Sequence, residues 1–214
     1  MASGVRLNRV WQPGLPWRPW LPWAGLCGLA AGGALLAQGI NPALLRWQPE
    51  LAATQPWRSI SAAWVHFSPL HLGANLLGTV LVAALGLAAG CGRRAALAWA
   101  LAWPLTHLAL LAQPALRQYG GLSGLLHAGV AVACWQLLRG DPGRRRAIGA
   151  ALAAGLLAKL LLEAPWQGPL RQVAGWDIAI APLAHASGAA AGWVCALACG
   201  VGREAAVTNA NRRR

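Results

Sequence analysis

The sequence predicts an all-α integral membrane protein with six transmembrane helices and both termini cytoplasmic. Three observations lead there. Residues of the AVILMFWYC set make up 57% of the 214 positions, and charged residues only 11%; an ordinary soluble domain carries about 25% charged residues. The apolar residues gather into six runs, at 20–40, 69–90, 95–112, 121–138, 147–163 and 179–201. Each is roughly 16–23 residues, or about 24–35 Å as helix, against a hydrocarbon core about 30 Å thick. The basic residues, finally, sit almost wholly between the runs. The expected division is a cytoplasmic N-terminal segment over 1–19, a membrane domain over 20–201 and a basic cytoplasmic tail over 202–214.

The first run is too long for the apolar core of a signal peptide, lacks an A-x-A site and is followed by more spans, so it reads as a helix. Orientation follows from the Arg residues. Thirteen lie in the N-terminal segment, the 91–94 turn, the 139–146 loop and the C-terminal tail. The other three loops hold four, Arg46, Arg58, Arg117 and Arg171, and Lys159 lies inside the fifth run. The positive-inside rule then places both termini in the cytoplasm, and runs two, four and six begin at the outer face. This placement also removes a nucleic-acid reading of the +13 net charge, because a basic groove needs a soluble scaffold.

The loop 41–68 carries Leu44, Leu45, Trp47, Trp57, Ile60, Trp64 and Phe67, too apolar for a solvated loop, and is expected in the membrane interface. The 13 Trp cluster at run ends, as Trp11, Trp17, Trp20 and Trp23 do, and read as interfacial anchors. The five Cys (Cys27, Cys91, Cys134, Cys195 and Cys199) are odd in number and show no metal-ligand spacing. They read as small core residues.

Polar residues inside apolar runs are expensive, which makes them functional candidates. His71, Asn75, Ser123 and His185 all fall near the outer end of an even-numbered run. His71 and Asn75, four apart, share a helix face. Ser123 stands in Gly120-Gly121-Leu122-Ser123-Gly124. Ala184, Gly188 and Gly192 recur every four residues and form a flat stripe; Gly124 and Ala128 form another. Such stripes let helix backbones approach closely, which would bring His185 within hydrogen-bond reach of Ser123. A hydroxyl beside an imidazole has the nucleophile-and-base logic of a serine hydrolase.

In order and spacing, Trp57-Arg58, His66-x4-His71-x3-Asn75, Gly121-Leu122-Ser123-Gly124 and Ala184-His185-x2-Gly188-x3-Gly192 resemble the rhomboid family of intramembrane serine proteases. The resemblance covers about residues 57–192. It implies a six-helix rhomboid-like bundle around a cavity that opens outward. Ser123 would be the nucleophile and His185 the base, as a dyad without a carboxylate. His71, Asn75 and the Ser123 N–H would hold the oxyanion, and Trp57, Arg58 and His66 would shape the first loop. The residues themselves agree on the missing acid: none of the five carboxylates is expected to orient His185. Lys159 and Glu163, four apart, are expected to pair weakly, or Lys159 to snorkel, with no catalytic part. His107 reads as structural.

Where many rhomboids carry Tyr one turn after the serine, this chain has His127. The run Gly-Leu-Ser-Gly-x-Leu-His is similar to the rhombosortase branch, small bacterial rhomboids that process C-terminal Gly-Gly sorting tails. That branch often has Gly after the His, where this chain has Ala128. His127 is read as a packing partner of His185, a polar group tuning the pair, or the base itself. The resemblance implies a multi-pass protein of the bacterial inner membrane, open to the periplasmic or outer side. Its partners would be the lipid bilayer and membrane-anchored substrates with a single or C-terminal span, with no cofactor, metal or nucleic acid.

Other readings are a rhomboid protease with different substrates, an inactive rhomboid-like binder of membrane segments, and a b-type haem carrier ligated by His71, His107, His127 or His185. A zinc protease lacks its H-E-x-x-H glutamate. A transporter would show an internal repeat.

Overall fold

The computed structural model describes residues 19–140 and 143–202. The expected N-terminal segment and basic tail lie almost entirely outside the described residues. Six long helices occupy the six apolar runs: α1 (Leu21–Leu36), α2 (Pro69–Ala89), α3 (Arg93–Leu108), α4 (Ser123–Leu138), α5 (Arg144–Glu163) and α6 (Pro182–Ala198). The described residues hold no strand, only isolated bridges at Trp47–Tyr119 and Arg171–Ile180. Leu21–Gly39, Pro69–Ala89 and Arg93–Ala112 are long and apolar enough to cross a membrane, and Ser123–Leu138 is a shorter apolar helix.

The helix ends follow local chemistry. Ser68 caps α2, its Oγ accepting from the His71 N–H at 3.1 Å, and Pro69 takes the first helical position, where no donor is needed. Gly90 ends α2 at φ 70°, a left-handed turn that glycine adopts without penalty. Pro182 opens α6 in the same manner as Pro69.

α4 is the centre of the bundle. Ten of its sixteen residues are buried, and it packs on α2, α3, α5 and α6. α6 packs chiefly on α4 and α3, whereas α5 leans mainly on α4 and buries only Gly149 and Leu156. The two small-residue stripes meet. A Cβ at Gly188 would overlap the Gly124 carbonyl, one at Gly192 would lie 2.5 Å from the Ala128 oxygen, and one at Gly124 would lie 2.8 Å from the Ala184 oxygen. Backbone therefore touches backbone along the seam.

Four tryptophans correct the interfacial-anchor expectation. Trp23, Trp47, Trp99 and Trp103 are buried in the core. A buried indole usually finds an acceptor for its N–H, as three of these four do, while Trp47 Nε1 has none. Trp23 donates to the Val82 carbonyl (3.2 Å), Trp99 to Leu125 (2.8 Å) and Trp103 to Ile60 (3.0 Å). Glycines on facing helices make room: Gly86 lies under Trp23, Gly129 under Trp99 and Gly33 under Trp64. Trp57 and Trp166 stay exposed.

The 41–68 loop is folded on itself, with Leu44, Trp57, Ile60 and Phe67 left exposed. It forms short helical turns at Pro42–Leu45 and Arg58–Ser61. Buried Arg58 ties them together, donating to the Ala43 and Arg46 carbonyls at 2.8 Å and to Gln55 Oε1 at 2.6 Å. All five cysteines are free, four of them buried.

Gly188→Val should push α6 off α4 and cost about 1–3 kcal/mol, as overpacking of a tight core does. Gly28, with open space around its Cβ position, serves as the control. Thermal unfolding in detergent should show a lowered midpoint for Gly188→Val and an unchanged or raised one for Gly28→Ala. Equal midpoints for Gly188→Val and wild type would contradict the backbone contact.

Candidate active site

The approach to Ser123 is fixed before α4 begins. Tyr119 and Trp47 exchange backbone hydrogen bonds of 3.0 and 2.9 Å. The Gly121 N–H donates to the Ala62 carbonyl at 2.9 Å, with Gly121 at φ 135°, a conformation L side chains rarely adopt. Ser123 is then the first residue of α4. It sits at a helix N-terminus, where free N–H groups and the helix dipole favour negative charge.

Across the glycine seam, His185 of α6 meets it. Ser123 Oγ lies 3.0 Å from His185 Nε2, and the imidazole is almost wholly buried. Hydroxyl and imidazole are thus within proton-transfer reach. The other ring nitrogen overturns an expectation. Glu163 Oε2 lies 2.7 Å from His185 Nδ1, so a carboxylate does stand where it orients this histidine. It comes from the last residue of α5, a third helix, and not from the sequence near His185. Lys159 pairs with Glu163 through the other oxygen, Oε1. Asp177 is engaged elsewhere, accepting from Ser68 Oγ at 2.8 Å.

His71 and Asn75 face the same spot from α2. A Cβ at Gly121 would meet His71 Nε2 at 2.7 Å and Asn75 Nδ2 at 3.7 Å. Both side chains are buried, and Asn75 Nδ2 and His71 Nδ1 have no hydrogen-bond partner. Leaving a buried polar group unpaired costs roughly 1–3 kcal/mol; the Asn75 amide beside Gly121 is free to donate to an incoming acceptor. His66 packs tilted against His71, ring centroids 4.8 Å apart, and donates from Nδ1 to the Trp64 carbonyl at 3.1 Å. Burial holds the His66 imidazole below the usual histidine range, and hence neutral.

His127 packs flat on His185, ring centroids 4.3 Å apart at 13°, and its Nδ1 donates to the Ser123 carbonyl at 2.6 Å. Ser123 Oγ bonds to His185 and not to His127. Rings in face contact also leave no space for a porphyrin between them. His107 is fully buried, with Nδ1 at 2.5 Å from the Ser59 carbonyl, in a structural role. Gly124, Gly188 and Gly192 serve the seam, Arg58 the loop, while Trp57 is exposed.

Tyr119 was not among the expected residues. Its hydroxyl lies 3.2 Å from the Gly121 carbonyl, 3.3 Å from Ser123 Oγ and 3.3 Å from the Gly124 N–H. Burial raises the phenol's pKa and keeps its proton on. It is the only tyrosine in the chain, which is the one signal the sequence offered.

Ser123, His185, His71, Asn75 and Glu163 all border one cavity of about 1070 Å³. Its other walls are mostly apolar residues of α2, α4, α5 and the 170–181 segment. α2 and α5 both pack on α4 and hardly on each other, so the cavity lies between them.

Tyr119→Phe removes three contacts while keeping the ring. The expected cost is about 1 kcal/mol of stability for the lost hydrogen bonding, read by unfolding in detergent. Reaction of Ser123 with a fluorophosphonate should slow several-fold. A variant matching wild type in both would show the hydroxyl to be idle.

The family model of the Rhomboid domain matches residues 53–201, from the loop that holds Arg58 to the end of α6. No curated protein matches the chain. The matched stretch is well over half of the sequence and contains every group around the cavity. The chain therefore belongs to the rhomboid family, whose members are multi-pass serine proteases acting on membrane proteins within the bilayer.

Proposed function

We propose that this protein cleaves single-span membrane proteins near the outer face of a bacterial inner membrane, using Ser123 as nucleophile and His185 as base. The observation that carries this reading is the 3.0 Å hydrogen bond between the two side chains at the wall of the cavity. Presence of both groups argues against an inactive binder. Six spans with cytoplasmic termini agree with the thirteen-to-four bias of basic residues, a count that includes the segments 1–18 and 203–214.

The chemistry follows from the groups in place. Ser123 Oγ attacks the scissile carbonyl carbon as its proton passes to His185 Nε2. The carbonyl electron pair moves onto oxygen, where the Ser123 N–H, His71 and Asn75 donate to it. Collapse of this intermediate breaks the C–N bond, and the leaving amine takes the proton from His185. Water then attacks the ester on Ser123, giving its proton to His185, and Ser123 leaves with that proton restored. His127 stacks under the working imidazole and fixes its plane.

The preferred substrates are tails with Gly-Gly, a hydrophobic span and a basic end. The run Gly121-Leu122-Ser123-Gly124-Leu125-Leu126-His127 supports the rhombosortase-like branch. A helical substrate hides its carbonyls in intrahelical bonds, so it must unwind before it can be cut. Gly-Gly unwinds cheaply, since each glycine costs a helix about 1 kcal/mol. Entry between α2 and α5 would bring such a segment to Ser123.

The test is co-expression with single-span proteins of the same genome that end in Gly-Gly, an apolar run and Arg residues. Wild type should process them, and Ser123→Ala and His185→Ala should not. Unchanged processing by either variant would show the assignment to be wrong. Asn75→Ala should slow cleavage by roughly 10²–10³, equivalent to about 3–4 kcal/mol for one oxyanion donor. A loss below about three-fold would remove Asn75 from the oxyanion site.

A further inference from the structure

We propose that Glu163 is a positioning residue for His185, so that the site works as a Ser–His–Glu relay and not as a dyad. This deepens the protease reading above and rests on it. Three groups stand in line: Ser123 Oγ, 3.0 Å from His185 Nε2, and His185 Nδ1, 2.7 Å from Glu163 Oε2.

The tautomer gives the contact its meaning. Neutral imidazole carries one ring proton. Only with that proton on Nδ1 does Nε2 keep the lone pair that receives the Ser123 proton. A carboxylate accepts and does not donate, so Glu163 selects this tautomer. When Ser123 attacks, its proton arrives at Nε2 and the ring becomes a cation. Glu163 then faces that cation at hydrogen-bond distance without taking the proton, as the acid of a serine triad does.

The carboxylate is held for this task. Lys159, one turn back on α5, binds Oε1, which leaves Oε2 to His185. The ammonium also supplies the counter-charge that a carboxylate in apolar surroundings needs. Glu163 is mostly buried and Lys159 about half exposed. The backbone turns left-handed straight after Glu163: Ala164 has φ 49°, strained for a residue with a Cβ. Arg171 donates to the Leu162 carbonyl and closes the same helix end. Strain retained beside a polar side chain fits a position fixed for a function. From the other packed elements, His127 of α4 faces the His185 ring, and Ser123 faces its Nε2.

A purely structural tie between α5 and α6 is the competing role, and the test separates the two. The full chain in detergent is titrated with a fluorophosphonate, and the maximal labelling rate and half-saturating concentration are measured. For Glu163→Gln the maximal rate should fall by between about ten-fold and about 10⁴-fold, the larger figure being the loss when a serine triad's acid is neutralised. The half-saturating concentration should stay unchanged, and Glu163→Asp should recover part of the rate. A Glu163→Gln maximal rate within about two-fold of wild type, with Ser123→Ala unlabelled, overturns the relay and leaves the protease reading standing. Labelling that survives in Ser123→Ala overturns the protease reading itself. A second measurement needs no variant at position 163. In wild type, ¹⁵N shifts of His185, assigned by loss in His185→Ala, should show Nδ1 protonated and Nε2 bare. The opposite tautomer overturns the proposal.

Discussion

Everything at the site depends on two helices being allowed to touch. α4 and α6 meet backbone to backbone at Gly124 and Gly188, and again at Ala128 and Gly192. Lipid tails are as apolar as leucine, so between helices in a bilayer the gain comes from close packing and from hydrogen bonds, not from hydrophobic burial. Small residues maximise the first and enable the second. With side chains between the helices, Ser123 and His185 would stand apart. Removing those side chains brings a short hydroxyl on one helix to an imidazole on the other at 3.0 Å.

The same economy governs the polar groups. Thr106 and Thr79 bond back to their own helices, Ser187 reaches the Thr106 carbonyl and His107 Nδ1 the Ser59 carbonyl. Asn75 Nδ2 has no partner. It shares a face of α2 with His71 Nε2, beside the Gly121 whose missing Cβ leaves both atoms room. On the proposed mechanism, donors are needed at that spot for the developing oxyanion.

Much of this was legible in the sequence, for identifiable reasons. Apolar runs set by bilayer thickness gave the positions of all six long helices. Small residues at every fourth position, Ala184, Gly188 and Gly192 with Gly124 and Ala128, announced the seam, and His71 with Asn75 declared a shared face by spacing alone. What escaped depended on pairs distant in sequence. Trp23 and Trp99 looked like interfacial anchors because nothing near them hints at Gly86 or Gly129 on facing helices. Tyr119 escaped because its strand-like pairing is with Trp47, far back in the first loop. Glu163 escaped for the same reason in stronger form. The acid nearest His185 in sequence is Asp177, before α6, whereas the carboxylate arrives from the end of α5. The spacing of Lys159 and Glu163 suggests a weak pair, and that pair exists, but it uses only one of the two carboxylate oxygens.

The third helix differs in kind from the other two. α4 and α6 are locked by backbone contact, so Ser123 and His185 keep their relation whatever the side chains around them do. α5 approaches α4 closely at Gly149, where a Cβ would lie 2.7 Å from Leu137 Cβ. Glu163 is fourteen residues further along, about 21 Å at 1.5 Å per residue. Between these points α5 buries little except Leu156. Partly buried Leu160 packs on the same cluster as Leu156, and two polar contacts reach the far end from outside the helix: His185 to Glu163 and Arg171 to the Leu162 carbonyl. That end is also a wall of the cavity. Nucleophile and base thus belong to the rigid seam. The carboxylate belongs to the helix that shares its surface with the cavity, and its link to His185 passes through a single hydrogen bond.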